Sequence, residues 1–328
     1  MNSQLKVGLI GFGMMGKNHA RVLSELDGVS FIGFYDESIS QNINNSNYSC
    51  FSSFEELLSK NLDYCVVATP TVTHKMYGEK LSQRGINFIL EKPMTDNLEN
   101  AQAIIDAASE FRVIGAVGHI ERFNPAVIEA KKQICEGLLG DIFQVITTRQ
   151  GPYPGRILDV GVILDLATHD IDTTRYLTDS EFSKQVGYQF SRSDIGIEEL
   201  VQLSGILESG VITSHTINWL SPIKERYTRI LGQNGILHID TLASDLYFFE
   251  HGSAQVTQRE LSHFTGTNQG RTIRFAIEKI EPLVAEHLSF INSIRGLAHQ
   301  NIDLISAKKT LEAALVFKRD SEYVRRRT

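Results

Sequence analysis

Val7-Gly8-Leu9-Ile10-Gly11-Phe12-Gly13-Met14-Met15-Gly16 is the stretch that decides the fold. An apolar strand pattern runs directly into G-x-G-x-x-G, and a helical pattern that includes His19–Glu25 follows. In that setting each glycine has a mechanical task. Gly11 permits a tight turn, Gly13 lets a pyrophosphate approach bare backbone, and Gly16 lets the helix pack on the strand. The pyrophosphate then sits at a helix N-terminus, where unpaired N–H groups and the helix dipole favour an anion. Phe12, Met14 and Met15 complete the loop and are expected beside the same cofactor.

Working outward, Val29–Tyr35 reads as a second strand and ends at Asp36, 25 positions after Gly11. An acid at this place accepts hydrogen bonds from the adenosine ribose. It also repels a 2′-phosphate, and neither Glu37 nor Ser38 supplies a compensating positive charge. The expected cofactor is therefore NAD rather than NADP.

The same rhythm continues to about Gly118. Tyr64–Thr69, Asn87–Leu90 and Val113–Val117 are short apolar strands, and Phe54–Ser59, the stretch after His74 and Leu98–Glu110 are helical. Strands that are apolar throughout, alternating with helices, indicate a parallel sheet covered on both faces. After about Asn124 the pattern changes. A helix, Pro125–Glu136, precedes strands Phe143–Gln150, Val186–Ser191, Leu200–Leu207, Gly210–Ile217, Tyr227–Leu231, Ile236–Asp240 and Leu246–Phe249. One helix, Leu164–Tyr176, interrupts them, and helices near Pro282–Arg295 and Ser306–Arg319 close the chain. Strands without intervening helices predict a mostly antiparallel sheet. The expected fold is an α/β Rossmann domain with a doubly wound parallel sheet over residues 1–122, then an α+β domain over residues 123–328.

Bulk properties exclude several classes. With 328 residues, two domains are the default. A net charge of −7 disfavours nucleic-acid binding, which needs a basic surface. The basic run Tyr323-Val324-Arg325-Arg326-Arg327 reads as a solvated tail. Cys50, Cys65 and Cys135 are sparse and show no metal-ligand spacing, which suits a reducing compartment and predicts no metal site. No apolar run approaches the ~20 residues that span a bilayer. The expected location is the cytoplasm, with no membrane partner.

Further motifs fall at the ends of later strands, where open α/β sheets bind ligands. These are Ala68-Thr69-Pro70-Thr71 with His74, Glu91-Lys92-Pro93, and Gly118-His119-Ile120-Glu121-Arg122-Phe123-Asn124-Pro125; the second half adds Asp165-Leu166-Ala167-Thr168-His169. In this order, with the glycine motif and His19, the chain resembles the glucose–fructose oxidoreductase / inositol dehydrogenase (Gfo/Idh/MocA) family over essentially its whole length. The resemblance implies that Lys92, Asp165 and His169 face the nicotinamide and carry the chemistry, and that Thr69, Pro70, His74, Glu91 and Lys92 border the cofactor. The roles suit the residue types. Oxidising a secondary alcohol needs a base for the hydroxyl proton while its carbon gives up a hydride. His169 is the residue type that accepts a proton near neutral pH, Lys92 can hold the hydroxyl oxygen, and Asp165 shares a helix face with His169 four positions on. Ala167 stands where many relatives have glycine, which points to a different substrate pocket.

The segments Gly118–Pro125 and Leu164–Asp172 resemble a subgroup that oxidises nucleotide sugars, the UDP-N-acetylglucosamine 3-dehydrogenases. This implies a 3-keto product that an aminotransferase can convert for surface polysaccharide or lipid A. A diphosphate needs cations, and Arg122, Arg149 and Arg156 are candidates. His119 and Asn124 are further candidate substrate contacts, beside Asp165 and His169. Two alternatives stay open: a dehydrogenase of a free polyol or sugar, and a nucleotide-binding regulatory protein without turnover. A broad sheet that buries one face against another copy would make the chain a homodimer or homotetramer.

Overall fold

The computed structural model describes residues 4–39, 47–153, 155, 160–192, 197–252 and 269–324. They form two units, one from the described residues of 1–120 together with 281–312, the other from those of 121–280 together with 313–324.

The first unit is built on five strands: β1 (Leu5–Ile10), β2 (Val29–Tyr35), β3 (Tyr64–Val67), β4 (Asn87–Glu91) and β5 (Gly115–Gly118). Every pairing is parallel, in the order β2-β1-β3-β4-β5. The chain goes first to one side of β1 and then to the other, so the crevice at the C-terminal ends of β1 and β3 is the switch point where such sheets take ligands. The helices are α1 (Met14–Glu25), α2 (Phe54–Leu58), α3 (His74–Gln83) and α4 (Leu98–Glu110). α4 starts where predicted because the Asn97 side chain accepts from the Asn100 N–H. The core gathers Val7, Leu9, Tyr64, Val66 and Ile89.

That core also takes Phe290 and Ile291 from a late helix, Pro282–Ile294. A cut at residue 122/123 places residues 281–312 in the second domain, but they pack in the first. The apolar face of this helix covers the parallel sheet, and sequence order does not reveal which sheet a late amphipathic helix returns to.

The second unit carries nine strands: β6 (Ile142–Pro152), β7 (Phe182–Phe190), β8 (Leu200–Leu207), β9 (Ile212–Asn218), β10 (Leu220–Gly232), β11 (Gly235–Asp240), β12 (Asp245–His251), β13 (Gln269–Arg274) and β14 (Ser321–Tyr323). Their order is β13-β12-β11-β10-β6-β9-β8-β7-β14. The sheet is antiparallel except at β6–β9 and β7–β14. Helices α5 (Pro125–Cys135) and α6 (Thr168–Thr178) cover one face, and Ala126, Val127, Ala130 and Leu177 pack there on Val145, Ile230, Leu237 and Phe248. The helix Pro282–Ile294 is α7, and α8 (Leu304–Asp320) contributes residues to both units.

Two strands escaped the sequence reading. β13 carries no clear alternation, and β14 ends on Tyr323, where the basic run that reads as a solvated tail begins. Its Tyr323 pairs with β7 instead, and the Val324 N–H donates to the Gln189 carbonyl. Arg325, Arg326 and Arg327 lie outside the described residues.

Candidate active site

In the first unit the glycine turn has the form the sequence requires. Gly11 has φ +89°, and a Cβ there would lie 2.4 Å from the Ala68 carbonyl oxygen. At Gly16 a Cβ would meet the Gly11 carbonyl oxygen at 2.1 Å, so helix and turn are in direct backbone contact. Gly13 differs: nothing lies within 4 Å of where its Cβ would be. The turn is tight where it packs and open where a ligand must approach, which fits a dinucleotide pyrophosphate at the start of α1. Phe12 stacks on Phe34 with ring centroids 3.8 Å apart, while Met14 is exposed and Met15 partly so.

Asp36 is fixed beside that turn. Its carboxylate accepts from the Phe12 N–H at 2.7 Å and from the Ser38 N–H and hydroxyl at 2.9 and 2.6 Å. The acid is thus held against the glycine turn, just after β2.

Thr69 and Pro70 follow β3. His74, at the start of α3, is almost fully buried. Its Nε2 lies 3.0 Å from the Thr69 carbonyl and its Nδ1 3.2 Å from those of Pro93 and Met94. It therefore clasps the loop after β3 to the loop after β4. Burial lowers its pKa, opposed by the carbonyl contacts.

Glu91 ends β4 and Lys92 follows it, half-buried. The Lys92 N–H donates to Glu91 Oε2 at 3.2 Å. Burial pushes the Glu91 carboxyl up, but the His19 hydrogen bond and the nearby Lys92 ammonium outweigh it and hold the group below its ordinary range. His119, just beyond β5, is buried.

In the second unit, Asp165 and His169 lie on one continuous helical run. Residues Ile163–Ala167 form a π turn that leads into α6. Such turns recur at functional sites because they re-aim side chains. Along the run, Ile163, Leu164, Ala167, Thr168 and Asp170 are buried, whereas Asp165 and His169 are half-exposed. The run is anchored from a distant segment. Buried Glu198 accepts from the Ile163 N–H at 3.3 Å, its carbonyl accepts from the Val162 N–H, and a Cβ on Gly161 would sit only 2.0 Å from its carboxyl carbon. Only glycine fits at 161, a requirement set by a residue 37 positions away.

The arginines are engaged within their own unit. Arg122 makes a bidentate pair with Asp172, at 2.7 and 2.6 Å. Arg149 is buried and donates to Asp170 at 2.6 Å and Glu121 at 2.9 Å. Burial works against its charge, but attraction to Asp170 and Glu121 outweighs it and raises its pKa. Asn124 caps α5 through the Ala126 N–H and donates to the Thr241 carbonyl. Arg156 lies outside the described residues.

Sequence reading missed Arg226. It sits directly across from Arg149 in the β6–β10 ladder. It is 3.9 Å from Glu121, and a third of its side chain is exposed. Burial and the like charge of Arg149 pull its pKa down, against attraction to Glu121, Asp170 and Asp165. This guanidinium is only partly compensated and lies within electrostatic reach of Asp165. The signal was the cross-strand register, which no local motif carries.

Among the described residues no group of three or more His, Cys, Asp or Glu side chains is placed to hold a metal, and no helix is long and apolar enough to cross a membrane.

Comparison with known proteins agrees with this geometry. Residues 5–119 match the profile described as "Oxidoreductase family, NAD-binding Rossmann fold", and residues 127–238 match the GFO/IDH/MocA C-terminal domain. The chain is 27% identical over 318 residues to a UDP-N-acetylglucosamine 3-dehydrogenase of Acidithiobacillus ferrooxidans, covering 95% of each chain. It is 28% identical over 199 residues to a scyllo-inositol 2-dehydrogenase (NAD(+)) of Bacillus subtilis, covering 57% of this chain and 58% of that one. The solved structure of the Acidithiobacillus ferrooxidans enzyme GnnA superposes with a TM-score of 0.83 at 25% identity, covering 97% of this chain and 98% of that one. With both halves matched in order, the chain belongs to the Gfo/Idh/MocA family of oxidoreductases, and its first unit is that family's NAD-binding Rossmann fold.

Proposed function

We propose that the chain oxidises a secondary hydroxyl of a nucleotide sugar, converting UDP-N-acetylglucosamine to its 3-keto form. The observation that carries this reading is the Asp165/His169 pair: two half-exposed ionisable groups on a helical run whose Ile163, Leu164, Ala167 and Thr168 are buried, with Arg226 within electrostatic reach of Asp165. The similarity to a UDP-N-acetylglucosamine 3-dehydrogenase along 95% of both chains supports the same substrate class.

NAD accepts the hydride when bound. The chain's own residues do the rest. The Gly13 turn and the α1 N-terminus hold the pyrophosphate, and Asp36 takes the ribose hydroxyls. Lys92 holds the reacting hydroxyl oxygen, His169 takes its proton, and Asp165 orients His169 and stabilises the imidazolium that forms. Arg226 supplies positive charge to the diphosphate, because Arg122 and Arg149 already donate to buried carboxylates. Val186, Tyr188, Ile206 and Ile212 are exposed on the sheet face opposite the helices, which supports association with a second copy.

A second reading, oxidation of a free polyol, is favoured by the inositol dehydrogenase similarity. Mixing the protein and NAD with UDP-N-acetylglucosamine, and separately with myo-inositol, distinguishes the two by reduced-nicotinamide absorbance in the presence of a carbonyl trap. The proposal requires signal with the nucleotide sugar; signal with myo-inositol alone selects the polyol reading.

A further inference from the structure

Behind the Glu91–Lys92 segment the first unit buries a line of four ionisable side chains from four elements. Tyr64 opens β3, His287 lies on α7, His19 on α1 and Glu91 ends β4; the first three are fully buried and Glu91 is 8% exposed. The Tyr64 hydroxyl is 3.3 Å from His287 Nδ1. His287 Nε2 is 2.9 Å from His19 Nδ1, and His19 Nε2 is 2.9 Å from Glu91 Oε1. The line ends at the Lys92 N–H on Glu91 Oε2.

Counting protons fixes its direction. Burial keeps Tyr64 protonated, so it is a donor. Glu91 is ionised and can only accept. Burial keeps the His287 ring neutral. With Tyr64 donating and both rings neutral, one arrangement satisfies all three contacts. Tyr64 O–H donates to His287 Nδ1, His287 Nε2–H to His19 Nδ1, and His19 Nε2–H to Glu91. All three bonds then point at Glu91 and polarise one another in the same sense. Glu286, the residue before His287, is also buried. Burial and the Glu91 charge push its carboxyl well up, so it adds no second anion beside Glu91.

We propose that His19 and His287 are positioning residues for Lys92: the directed chain they complete holds the Glu91 carboxylate in one place, and Glu91 fixes the Lys92 backbone and keeps an anion near its ammonium. The inference rests on the reading of Lys92 as a catalytic residue.

Two measurements on the NAD-bound protein test it. Nitrogen NMR of the histidine rings is expected to show His19 and His287 both neutral and protonated at Nε2; an Nδ1–H tautomer or an imidazolium at either ring overturns the directed chain. The second is a double-mutant cycle in turnover of UDP-N-acetylglucosamine. His19→Ala is expected to lower kcat about tenfold or more, with the NAD Kd within about twofold. His19→Gln, whose amide can still donate to Glu91, is expected to recover part of the loss. In a Lys92→Ala background His19→Ala is expected to cost nothing further, because it acts through the absent lysine. Additive losses overturn the inference. Should His19→Ala fail to fold, Tyr64→Phe, which removes one oxygen, takes its place in the cycle with the same two outcomes at a loss of about threefold. Failure of the underlying reading looks different: Lys92→Ala alone would then leave kcat unchanged.

Discussion

The Phe12 N–H donates to the Asp36 carboxylate at 2.7 Å, so the acid that follows β2 is tied to the glycine turn that follows β1. Asp36 and the glycine turn are therefore one hydrogen-bonded piece. Asp36→Ala is expected to weaken NAD binding about tenfold, as loss of a charged hydrogen-bond partner does, and to relax discrimination against NADP. Titrating both nucleotides checks this. An unchanged NAD/NADP ratio contradicts the assignment of Asp36.

The glycines of the turn separate binding from stability. Gly13→Ala places a methyl where nothing else is within 4 Å, so thermal stability should hold while NAD affinity drops about tenfold or more. Gly16→Ala drives a methyl to 2.1 Å from the Gly11 carbonyl oxygen and should lower Tm outright. Thermal melts with and without NAD distinguish the two variants.

Arg226 predicts a substrate-dependent effect. Arg226→Gln should raise KM for UDP-N-acetylglucosamine about tenfold, within the range for hydrogen bonds to charged groups. Any turnover of myo-inositol, which carries no diphosphate, should not change. Equal effects on both substrates contradict the diphosphate role.

His215 sets part of the acid limb of stability. It is fully buried in the second unit near Phe182 and Phe317, with Nδ1 2.9 Å from the Thr147 hydroxyl, and burial lowers its pKa from 6.5 to about 4. Above pH 6.5 the ring is neutral in both states and carries no penalty. Between about 6.5 and 4 the unfolded chain takes up a proton that the folded ring refuses, so stability falls by a total of about 3 kcal/mol. His215→Gln, which cannot titrate, should flatten that part of a denaturant-midpoint versus pH curve.

Much of the fold was legible because local patterns were consistent. Leu98–Glu110 and Leu200–Leu207 carry their own boundary signals and appear as read. What stayed hidden depends on partners distant in sequence. Nothing local shows that α7 returns to the parallel sheet, that His19 meets His287, or that Glu198 anchors the start of the Asp165 run. The carboxylates that pair with Arg122 and Arg149, namely Asp172, Asp170 and Glu121, lie 21 to 50 positions away. Arg226 became visible only through strand register.

The most direct test of the central claim measures kcat with UDP-N-acetylglucosamine and the NAD Kd side by side for Lys92→Ala and His169→Ala. Each substitution removes a group assigned to the transferring proton or its oxygen, so kcat should fall about a hundredfold or more while the NAD Kd stays within about twofold. Turnover that survives both substitutions contradicts the account.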